Sequence, residues 1–525
     1  MTATAPRQVV IGLDVGTTAV KAAAFGPGSA WRHTAVREYP LVHPAPDRTE
    51  QDPDVIVRAT RDALAETVAA AAPAEVVAVS VSAGMHGLLA LDGQQRPLTP
   101  LVTWADARAR DEARSLHEAG LARDLHALTG TPVHPMSPLA KLRWFARHDP
   151  ATCEAARWWI GLKELVLLWL TGTVVTELSS ASGTGLLDLS TRAWSLRAVE
   201  VTGVAADRLP PIESTTATRT LAPAAAAQVG LSPATPVVLG AADGPLGNLG
   251  TGALTPGVAG LTLGTSGAVR MAVNGPRVDD DRTLFCYALT DDVWVVGGAV
   301  SNGGAALRWA GDTFAADVER AAGDDGADEA VLDLVAQVPP GSDGLVMLPY
   351  LLPERAPRWD PDLPGAYLGV RHNHTRAHFL RAAVEGVCLQ MRAIVDGLDR
   401  VEPVRSVRGT GGVFRSALWR EVMAASLGRP LHVEDGADGT ALGAAALGLY
   451  ALGRAPSLLD AADQLGVRGA APEPPVPVDP AAAATYDRLR ASVPELVGRL
   501  GGSVSTVRVP DSVGDPAVPT GDAGA

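Results

Sequence analysis

The chain has 525 residues, of which 44 are basic and 58 acidic, so its formal net charge is −14. Such a length is typical of roughly two to four globular domains, and the acidic balance argues against nucleic acid or an anionic membrane as a partner. The three cysteines lack metal-ligand spacing. The N-terminus lacks a signal-peptide pattern, and the most apolar segment, residues 158–170, falls short of the ~20 residues that cross a bilayer. We therefore expect a cytoplasmic protein in which this segment is a buried helix.

Two apolar runs near the N-terminus flank a glycine turn and predict a hairpin of buried strands, residues 8–13 and 19–25. Further strands are predicted at residues 76–81, 236–240, 258–263, 294–296 and 345–348. Helical periodicity is found in residues 54–71, 139–147, 377–395 and 417–427. Strands that alternate with helices predict an α/β protein.

A short internal repeat relates the two halves of the sequence. The turn Gly16-Thr17-Thr18, followed by Lys21, has a counterpart in Gly264-Thr265-Ser266, followed by Arg270. Each copy follows an apolar strand, which indicates a duplicated nucleotide-binding hairpin and a ligand cleft between two lobes. From about residue 470 the sequence is rich in Ala, Pro and Val, and residues 501–525 contain few large apolar side chains, so we expect a disordered tail.

The first candidate site surrounds the N-terminal hairpin. Asp14 ends a strand and can reach a metal ion through water, while the turn at Thr17 and Thr18 offers hydroxyls and backbone N–H groups to phosphate oxygens. Lys21, one of only 3 lysines beside 41 arginines, adds a compact charge. An ordinary hairpin with a solvated aspartate is the alternative. The sequence contains no GxxxxGK[ST] motif and no GxGxxG after a strand.

A second carboxylate follows another apolar strand. Asp243 has glycines beside it that allow a ligand to approach, which suits a general base for a hydroxyl group. A turn aspartate that caps the next segment is the alternative. Thr265 lies in the second glycine turn, and residues 409–412 precede a helix that starts near Ser416, a pattern that suits a nucleotide or only a serine cap.

Polar and aromatic residues that suit a sugar occur in two further segments. The first contains Met85 and His86, and the second contains Trp104, Asp106 and Arg108. A structural histidine and a solvated charged helix face are the alternatives.

Taken in this order, the segments resemble the FGGY family of carbohydrate kinases from the N-terminus to about residue 455. Residues 136–148 and 365–385 resemble the two long signatures of that family. The resemblance implies two ribonuclease-H-like, actin-type ATPase domains around a central cleft. Residues 1–252 would bind sugar and phosphate, residues 253–470 would bind the nucleotide, and residues 471–525 would form an extension.

Carried over by position, the resemblance also implies roles for individual residues. Asp243 would be the catalytic base and would share a Mg²⁺ site with Asp14, and Met85 and His86 would contact the substrate. ATP would contact Thr17, Thr18, Lys21, Thr265, Gly304, Gly412 and Ser416. Trp104, Asp106 and Arg108 are added as substrate candidates on their chemistry.

Within the family, residues 50–54, 98–106, 128–138 and 354–357 resemble gluconokinases most. This implies ATP-dependent phosphorylation of D-gluconate to 6-phosphogluconate. The substrate carboxylate then needs a cation, for which Arg108, Lys141 and His86 are candidates. Residues 82–87 lie between the gluconokinase and xylulokinase patterns, so a kinase of xylulose or another sugar or polyol is one alternative. An actin-like or chaperone-like ATPase is an alternative of another class, and a homodimer is left open.

Overall fold

The computed structural model describes residues 7–323, 326–434, 439–467 and 474–504. Its strands are β1 (Gln8–Val15), β2 (Ala19–Phe25), β3 (Arg32–Glu38), β4 (Glu50–Gln51), β5 (Glu75–Ala83), β6 (Leu89–Leu91), β7 (Leu101–Val102), β8 (Trp158–Ile160), β9 (Thr176–Glu177), β10 (Leu187–Asp188), β11 (Ala193–Trp194), β12 (Ile212–Glu213), β13 (Thr218–Thr220), β14 (Pro236–Ala242), β15 (Val258–Leu263), β16 (Gly267–Asn274), β17 (Phe285–Ala288), β18 (Val293–Val300), β19 (Val346–Leu348), β20 (Ala366–Leu368), β21 (Ser406–Thr410) and β22 (Leu431–Val433).

Its α-helices are α1 (Pro53–Ala71), α2 (Arg110–Glu118), α3 (Ala122–Thr129), α4 (Pro138–His148), α5 (Pro150–Ala155), α6 (Leu162–Thr171), α7 (Leu178–Ser182), α8 (Leu196–Glu200), α9 (Pro223–Val229), α10 (Asp243–Gly250), α11 (Gly304–Phe314), α12 (Ala316–Ala322), α13 (Ala327–Ala336), α14 (Arg376–Val401), α15 (Ala417–Leu427), α16 (Gly439–Ala451), α17 (Leu458–Gln464) and α18 (Pro480–Val504). Short 3₁₀ turns form at Ala206–Arg208, Ser342–Gly344 and Gly412–Arg415.

Two six-stranded sheets of related topology organise the chain. In the first, the order is β13-β14-β5-β1-β2-β3, with β1 antiparallel to β2 and parallel to β5. In the second, the order is β17-β18-β16-β15-β21-β22, with β15 antiparallel to β16 and parallel to β21. The hairpins β1–β2 and β15–β16 therefore occupy equivalent places, which confirms the internal repeat and the prediction of an α/β fold with two similar lobes.

Helix α1 shows how the sequence builds the first lobe. Asp52 caps it by accepting the backbone N–H groups of Asp54 (2.8 Å) and Val55 (3.3 Å), and Pro53 has the φ angle that the first helical turn requires. Its buried face, which includes Ile56 and Leu64, packs on one side of the first sheet. Burying these apolar side chains stabilises the lobe.

A helix from the second half of the chain covers the other side of the first sheet. Residues 439–451, predicted to belong to the C-terminal domain, form α16, which packs against β1 and α10. At Gly12 in β1, an added Cβ would lie 1.8 Å from the backbone oxygen of Ala441. Only glycine allows the helix to lie this close to the strand.

The prediction of one buried helix over residues 158–170 is wrong at its start. Trp158–Ile160 forms strand β8, which pairs with β6, and the helix begins at Leu162. The break occurs at Gly161, whose backbone N–H donates to Glu164 Oε2 at 2.8 Å and so caps the helix. Within the described residues, no helix combines the length and apolar character that a bilayer crossing requires.

The C-terminal extension is more ordered than predicted. Helix α18 includes residues 501–504, for which we predicted disorder, and it packs against α15 and α14. Tyr486 anchors it, because this side chain is 1% exposed and its hydroxyl donates to Glu385 Oε1 at 2.9 Å. Residues 505–525 of the predicted tail lie outside the described residues.

Candidate active site

Asp14 and Asp243 lie at the same edge of the first sheet. Strands β1 and β14 both run parallel to β5, so their carboxyl ends meet, and Asp243 follows β14 directly as the first residue of α10. Ser82 Oγ donates to Asp14 Oδ1 at 3.0 Å. Burial and the charge of Asp243 raise the pKa of Asp14 to about 6, and burial also raises the pKa of Asp243. A divalent cation between such carboxylates would relieve their repulsion.

The glycine turn between β1 and β2 presents its side chains to this edge. Thr17 is held from two sides, since Gln51 Nε2 donates to its carbonyl oxygen at 2.6 Å and Trp104 Nε1 donates to its hydroxyl at 3.0 Å. Thr18 is exposed. Lys21 is the register partner of Asp14 on β2, and its charge lowers the pKa of that aspartate. The hairpin of β1 and β2 thus combines the hydroxyls of its turn with the cation of Lys21 beside the carboxylate pair.

The second glycine turn is joined to the start of α11. Gly304 N–H donates to the carbonyl of Gly264 at 2.7 Å, and Gly303 N–H donates to that of Thr265 at 3.0 Å. Gly412 follows strand β21, next to Gly411, where φ is 116° and an added Cβ would lie 2.1 Å from a backbone oxygen of β15. These loops therefore approach each other closely at one end of the second sheet.

Ser416 begins α15, as predicted. Its hydroxyl accepts the N–H of Trp419 at 3.4 Å, so it serves as the helix N-cap. The nucleotide contacts predicted for Ser416, Gly412, Gly304 and Thr265 stay predictions.

A cavity of about 290 Å³ lies between the lobes. From the first lobe it is lined by five residues that were predicted as site residues, namely Thr17, Met85, His86, Trp104 and Asp243. From the second lobe it is lined by two arginines that were not predicted, Arg270 and Arg355, together with aromatic side chains such as Tyr287. A carboxyl group, two arginines and aromatic walls suit a polar ligand that carries hydroxyl groups.

Comparison with known proteins identifies the family. Residues 9–250 match the N-terminal domain, and residues 259–452 the C-terminal domain, of the FGGY family of carbohydrate kinases. The chain belongs to this family. It is 37% identical over 462 residues to a gluconokinase of Bacillus licheniformis, covering 87% of this chain and 90% of the relative. It is 30% identical over 463 residues to a xylulose kinase of Bacillus subtilis, covering 87% and 91%.

Among solved structures, the gluconate kinase of Lactobacillus acidophilus is similar, with a TM-score of 0.87 and 30% identity, covering 95% of this chain and 99% of that one. The expected fold of two actin-type ATPase domains is thereby confirmed. As an FGGY carbohydrate kinase, the protein uses ATP with Mg²⁺. Asp14 and Asp243 fit the metal, because Mg²⁺ prefers oxygen ligands and the charge of Asp243 helps to raise the pKa of Asp14, a repulsion that a bound cation would relieve.

His86 is a neutral hydrogen-bonding group in this kinase and not a cation. Burial and the nearby charge of Lys141 lower its pKa to about 3. Its Nδ1 donates to the carbonyl of Gly183 at 2.9 Å, so Nε2 is left as an acceptor. The prediction that His86 could neutralise a substrate carboxylate is therefore not supported, while a contact to a substrate hydroxyl remains compatible with its place in the cavity.

Arg108 and Asp106 are engaged with each other. Arg108 Nε donates to Asp106 Oδ1 at 2.8 Å, its guanidinium also contacts Glu50, and Thr49 N–H donates to Asp106 Oδ2 at 2.7 Å. Both side chains are buried, and neither lines the cavity. The substrate contacts predicted for them are replaced by an internal ion pair, because a buried carboxylate needs donors of its own.

Arg355 is a cation of the cavity that was not among the site residues predicted from the sequence. Its Nε donates to Ser301 Oγ at 3.1 Å, its Nη2 donates to the carbonyl of Val300 at 2.7 Å, and its guanidinium lies over the ring of Trp104, 4.6 Å from the centroid. Burial and the charge of Arg270 lower its pKa to about 10, so it stays cationic at neutral pH. A signal was present, since Arg355 belongs to residues 354–357, one of the segments that resembles gluconokinases.

Proposed function

We propose that the protein phosphorylates D-gluconate at the expense of ATP and forms 6-phosphogluconate in the cavity between its lobes. The observation that carries this proposal is the pair of arginines, Arg270 and Arg355, that lines this cavity together with Asp243. A neutral sugar needs no cation, whereas a carboxylate in a protein with a net charge of −14 needs a local one. The 37% identity to a gluconokinase, against 30% to a xylulose kinase, supports the same substrate.

The two arginines suit different ends of the substrate. Arg270 lies beside Asp243, because an added Cβ at the next residue, Gly244, would lie 3.1 Å from Arg270 Nε. Arg355 lies on Trp104, and its Nη1 makes no hydrogen bond within the described residues. In gluconate the reacting hydroxyl and the carboxylate are at opposite ends of the carbon chain. We therefore assign the carboxylate to Arg355 and the reacting end to Asp243.

The chemistry follows from this arrangement. Asp243 accepts the proton of the substrate hydroxyl as that oxygen bonds to the γ-phosphorus of ATP, while the bond from this phosphorus to the bridging oxygen breaks and ADP leaves. Thr17 and Thr18 on one turn, Lys21 on the strand β2 that follows it, and Thr265 on the other turn orient the phosphates of ATP. Asp14 and Asp243 would hold Mg²⁺, which would supply positive charge to the phosphates of ATP. The remaining task of the protein is to position the reactants and exclude water.

The proposal is tested by coupled measurement of ADP release with Mg·ATP and, in separate reactions, D-gluconate, D-xylulose, L-ribulose, glycerol or no acceptor. Turnover that depends on gluconate, with phosphate found on the terminal carbon by ³¹P NMR, is the expected result. A preference for xylulose would favour the alternative that residues 82–87 and the 30% identity to a xylulose kinase support. Equal ADP release without any acceptor would contradict both and favour an actin-like or chaperone-like ATPase.

A further inference from the structure

One of the three lysines is buried without a carboxylate partner. Lys141, on α4, is 0% exposed, and no carboxylate lies within 4.0 Å of its Nζ among the described residues. Nζ instead donates to two backbone carbonyls, those of His86 and Thr103, each at 2.6 Å. A third carbonyl, that of Val102, lies at 3.5 Å. Burial lowers the pKa of Lys141 to about 7, which shows that the charged form is costly to bury, so the contacts that Nζ makes require an explanation.

The first contact holds a strained turn. His86 has a φ of 67°, in the left-handed region that non-glycine residues seldom adopt and that persists where neighbouring contacts enforce it. Its ring lines the cavity and meets Tyr287 of the other lobe edge to face, with centroids 5.8 Å apart. The direction of this ring depends on the backbone conformation that Lys141 holds through the carbonyl.

The second contact holds a different wall of the same cavity. Thr103 directly precedes Trp104, whose Nε1 donates to Thr17 and whose ring lies under Arg355. The segments 84–87 and 103–104 are joined here through Lys141, which a single ammonium can do because its three N–H groups diverge from one point. The planar fork of arginine, abundant elsewhere in this chain, lacks that geometry.

We propose that Lys141 is a positioning residue that sets the affinity for the sugar by fixing His86 and Trp104, without touching the substrate. This differs from the role of carboxylate ligand expected from its charge, since its ammonium is engaged by backbone carbonyls and it does not line the cavity. The inference rests on the proposed use of this cavity as the sugar site. It does not depend on whether the sugar is gluconate or xylulose.

The first test compares Lys141→Met with the wild type, using the acceptor that the wild type phosphorylates best. We expect KM for the acceptor to rise about tenfold, equivalent to ~1.4 kcal/mol, while KM for ATP stays the same. Arg143→Met is the matched control, because Arg143 is on the same helix and donates to the carbonyl of Val201 at 2.7 Å, away from the cavity. An unchanged KM for the acceptor in Lys141→Met, or an equal rise in Arg143→Met, would overturn the proposal.

The second test asks whether Lys141 acts through His86. Glycine adopts a φ of 67° without strain and has no ring to direct, so in the His86→Gly background only the contact with Thr103 is still at stake, and Lys141→Met should raise KM for the acceptor less than threefold. A merely structural lysine would cost the same tenfold in both backgrounds. If Lys141→Met does not fold, Lys141→Arg, which keeps the charge but changes the donor geometry, is measured in the same cycle.

Failure of this inference and failure of the proposed function give different results. Absence of gluconate turnover in the wild type contradicts the proposed substrate, and the cycle is then measured with the sugar that is turned over. Additive effects of Lys141→Met and His86→Gly contradict the inference whatever that sugar is.

Discussion

Asp14 and Asp243 are charged neighbours at the ends of two parallel strands, and the charge of Asp243 helps to raise the pKa of Asp14 to about 6. Their surroundings differ. Asp14 accepts a hydrogen bond from Ser82 and has Lys21 beside it, whereas the largest opposing charge for Asp243 is Arg270 from the other lobe. Of these two carboxyl groups, that of Asp243 lines the cavity between the lobes.

This difference predicts that Asp243→Asn abolishes phosphoryl transfer and leaves ATP binding in place. The amide keeps the shape but cannot accept a proton, so kcat should fall by about 10²–10⁴-fold. Turnover is followed by ADP release, and nucleotide affinity by calorimetry with a non-hydrolysable ATP analogue. Unchanged turnover would contradict the assignment of Asp243 as the base.

Arg355→Gln should remove the preference for an acidic acceptor. Loss of a charge-assisted hydrogen bond costs about 1.5–3 kcal/mol, so kcat/KM for gluconate should fall by roughly 10- to 150-fold, while the value for D-glucitol, which has the same carbon chain without a carboxylate, changes little. Arg270→Gln is the control, because Arg270 lies beside Asp243 and should affect both acceptors equally. Equal losses for both acceptors in Arg355→Gln would contradict the assignment of the carboxylate to Arg355.

The site was predictable where its residues lie in local patterns. Asp14, Thr17 and Asp243 follow apolar strands or fill glycine turns, and such strands end together at one sheet edge. Arg270 lies within a strand and Arg355 within an irregular loop, and although each belongs to a segment that the sequence analysis singled out, neither position shows that its side chain reaches the site. Only the packing of the second lobe against the first brings their guanidinium groups to the cavity.

Ser179→Ala should lower kcat without changing KM for either substrate. Ser179 is 0% exposed, and its hydroxyl accepts the N–H of Ala242, the residue before Asp243, at 3.1 Å. Strand β14 is irregular here, with Gly240 at a φ of 77°, so this N–H depends on a side-chain acceptor. We expect about a tenfold loss, since an unpaired buried N–H costs ~1–3 kcal/mol and lets Asp243 shift.

Two variants check this positioning role of Ser179. Ser179→Thr keeps the hydroxyl and should restore most of kcat. Ser182→Ala, on the same helix, removes a hydroxyl that accepts the N–H of Ala288 at 3.0 Å, and it should lower the melting temperature but not kcat. Equal kcat in Ser179→Ala and the wild type would exclude the role.

The fold was predictable where each element carries its own boundary signals. Helix α15 has the predicted bounds because Ser416 caps its start and Gly428, with a φ of 60°, ends it. Strand β8 was missed because its partner β6 lies about 70 residues earlier, and periodicity carries no information on pairing. Helix α18 was missed because it is stabilised by contacts with α14 that composition does not encode.

Tyr486→Phe should therefore destabilise the protein although it lies in the C-terminal extension. The hydroxyl donates to Glu385 Oε1 at 2.9 Å and accepts from Arg381 Nη2 at 3.2 Å, and its loss should lower the free energy of unfolding by about 1–3 kcal/mol. Urea unfolding followed by tryptophan fluorescence measures this change. Tyr450→Phe is the control, since the Tyr450 hydroxyl makes no side-chain hydrogen bond within the described residues. Equal stability of Tyr486→Phe and the wild type would show that the hydroxyl does not anchor α18.

Because Glu354 is buried, we expect the stability of the protein to depend on pH. Its carboxyl is 0% exposed, and Gln390 Nε2 donates to both of its oxygens, at 2.9 and 2.8 Å. Burial raises the pKa of Glu354 from 4.5 to about 8. The folded protein therefore binds the proton of the Glu354 carboxyl more tightly than the unfolded chain does. The resulting contribution of Glu354 to the free energy of unfolding is fully present below pH 4.5 and is lost as the pH rises to about 8.

Glu354→Gln removes the titrating carboxyl, so the free energy of unfolding should fall less as the pH rises. Relative to the wild type, the variant should gain free energy of unfolding as the pH rises, with a difference on the order of a few kcal/mol between pH 5 and pH 8. Urea unfolding at unit steps of pH measures it, with Glu118→Gln at an exposed position as the control. Parallel pH profiles for Glu354→Gln and the wild type would show that Glu354 is ionised throughout and that Arg355, next to it in the chain, compensates for its burial.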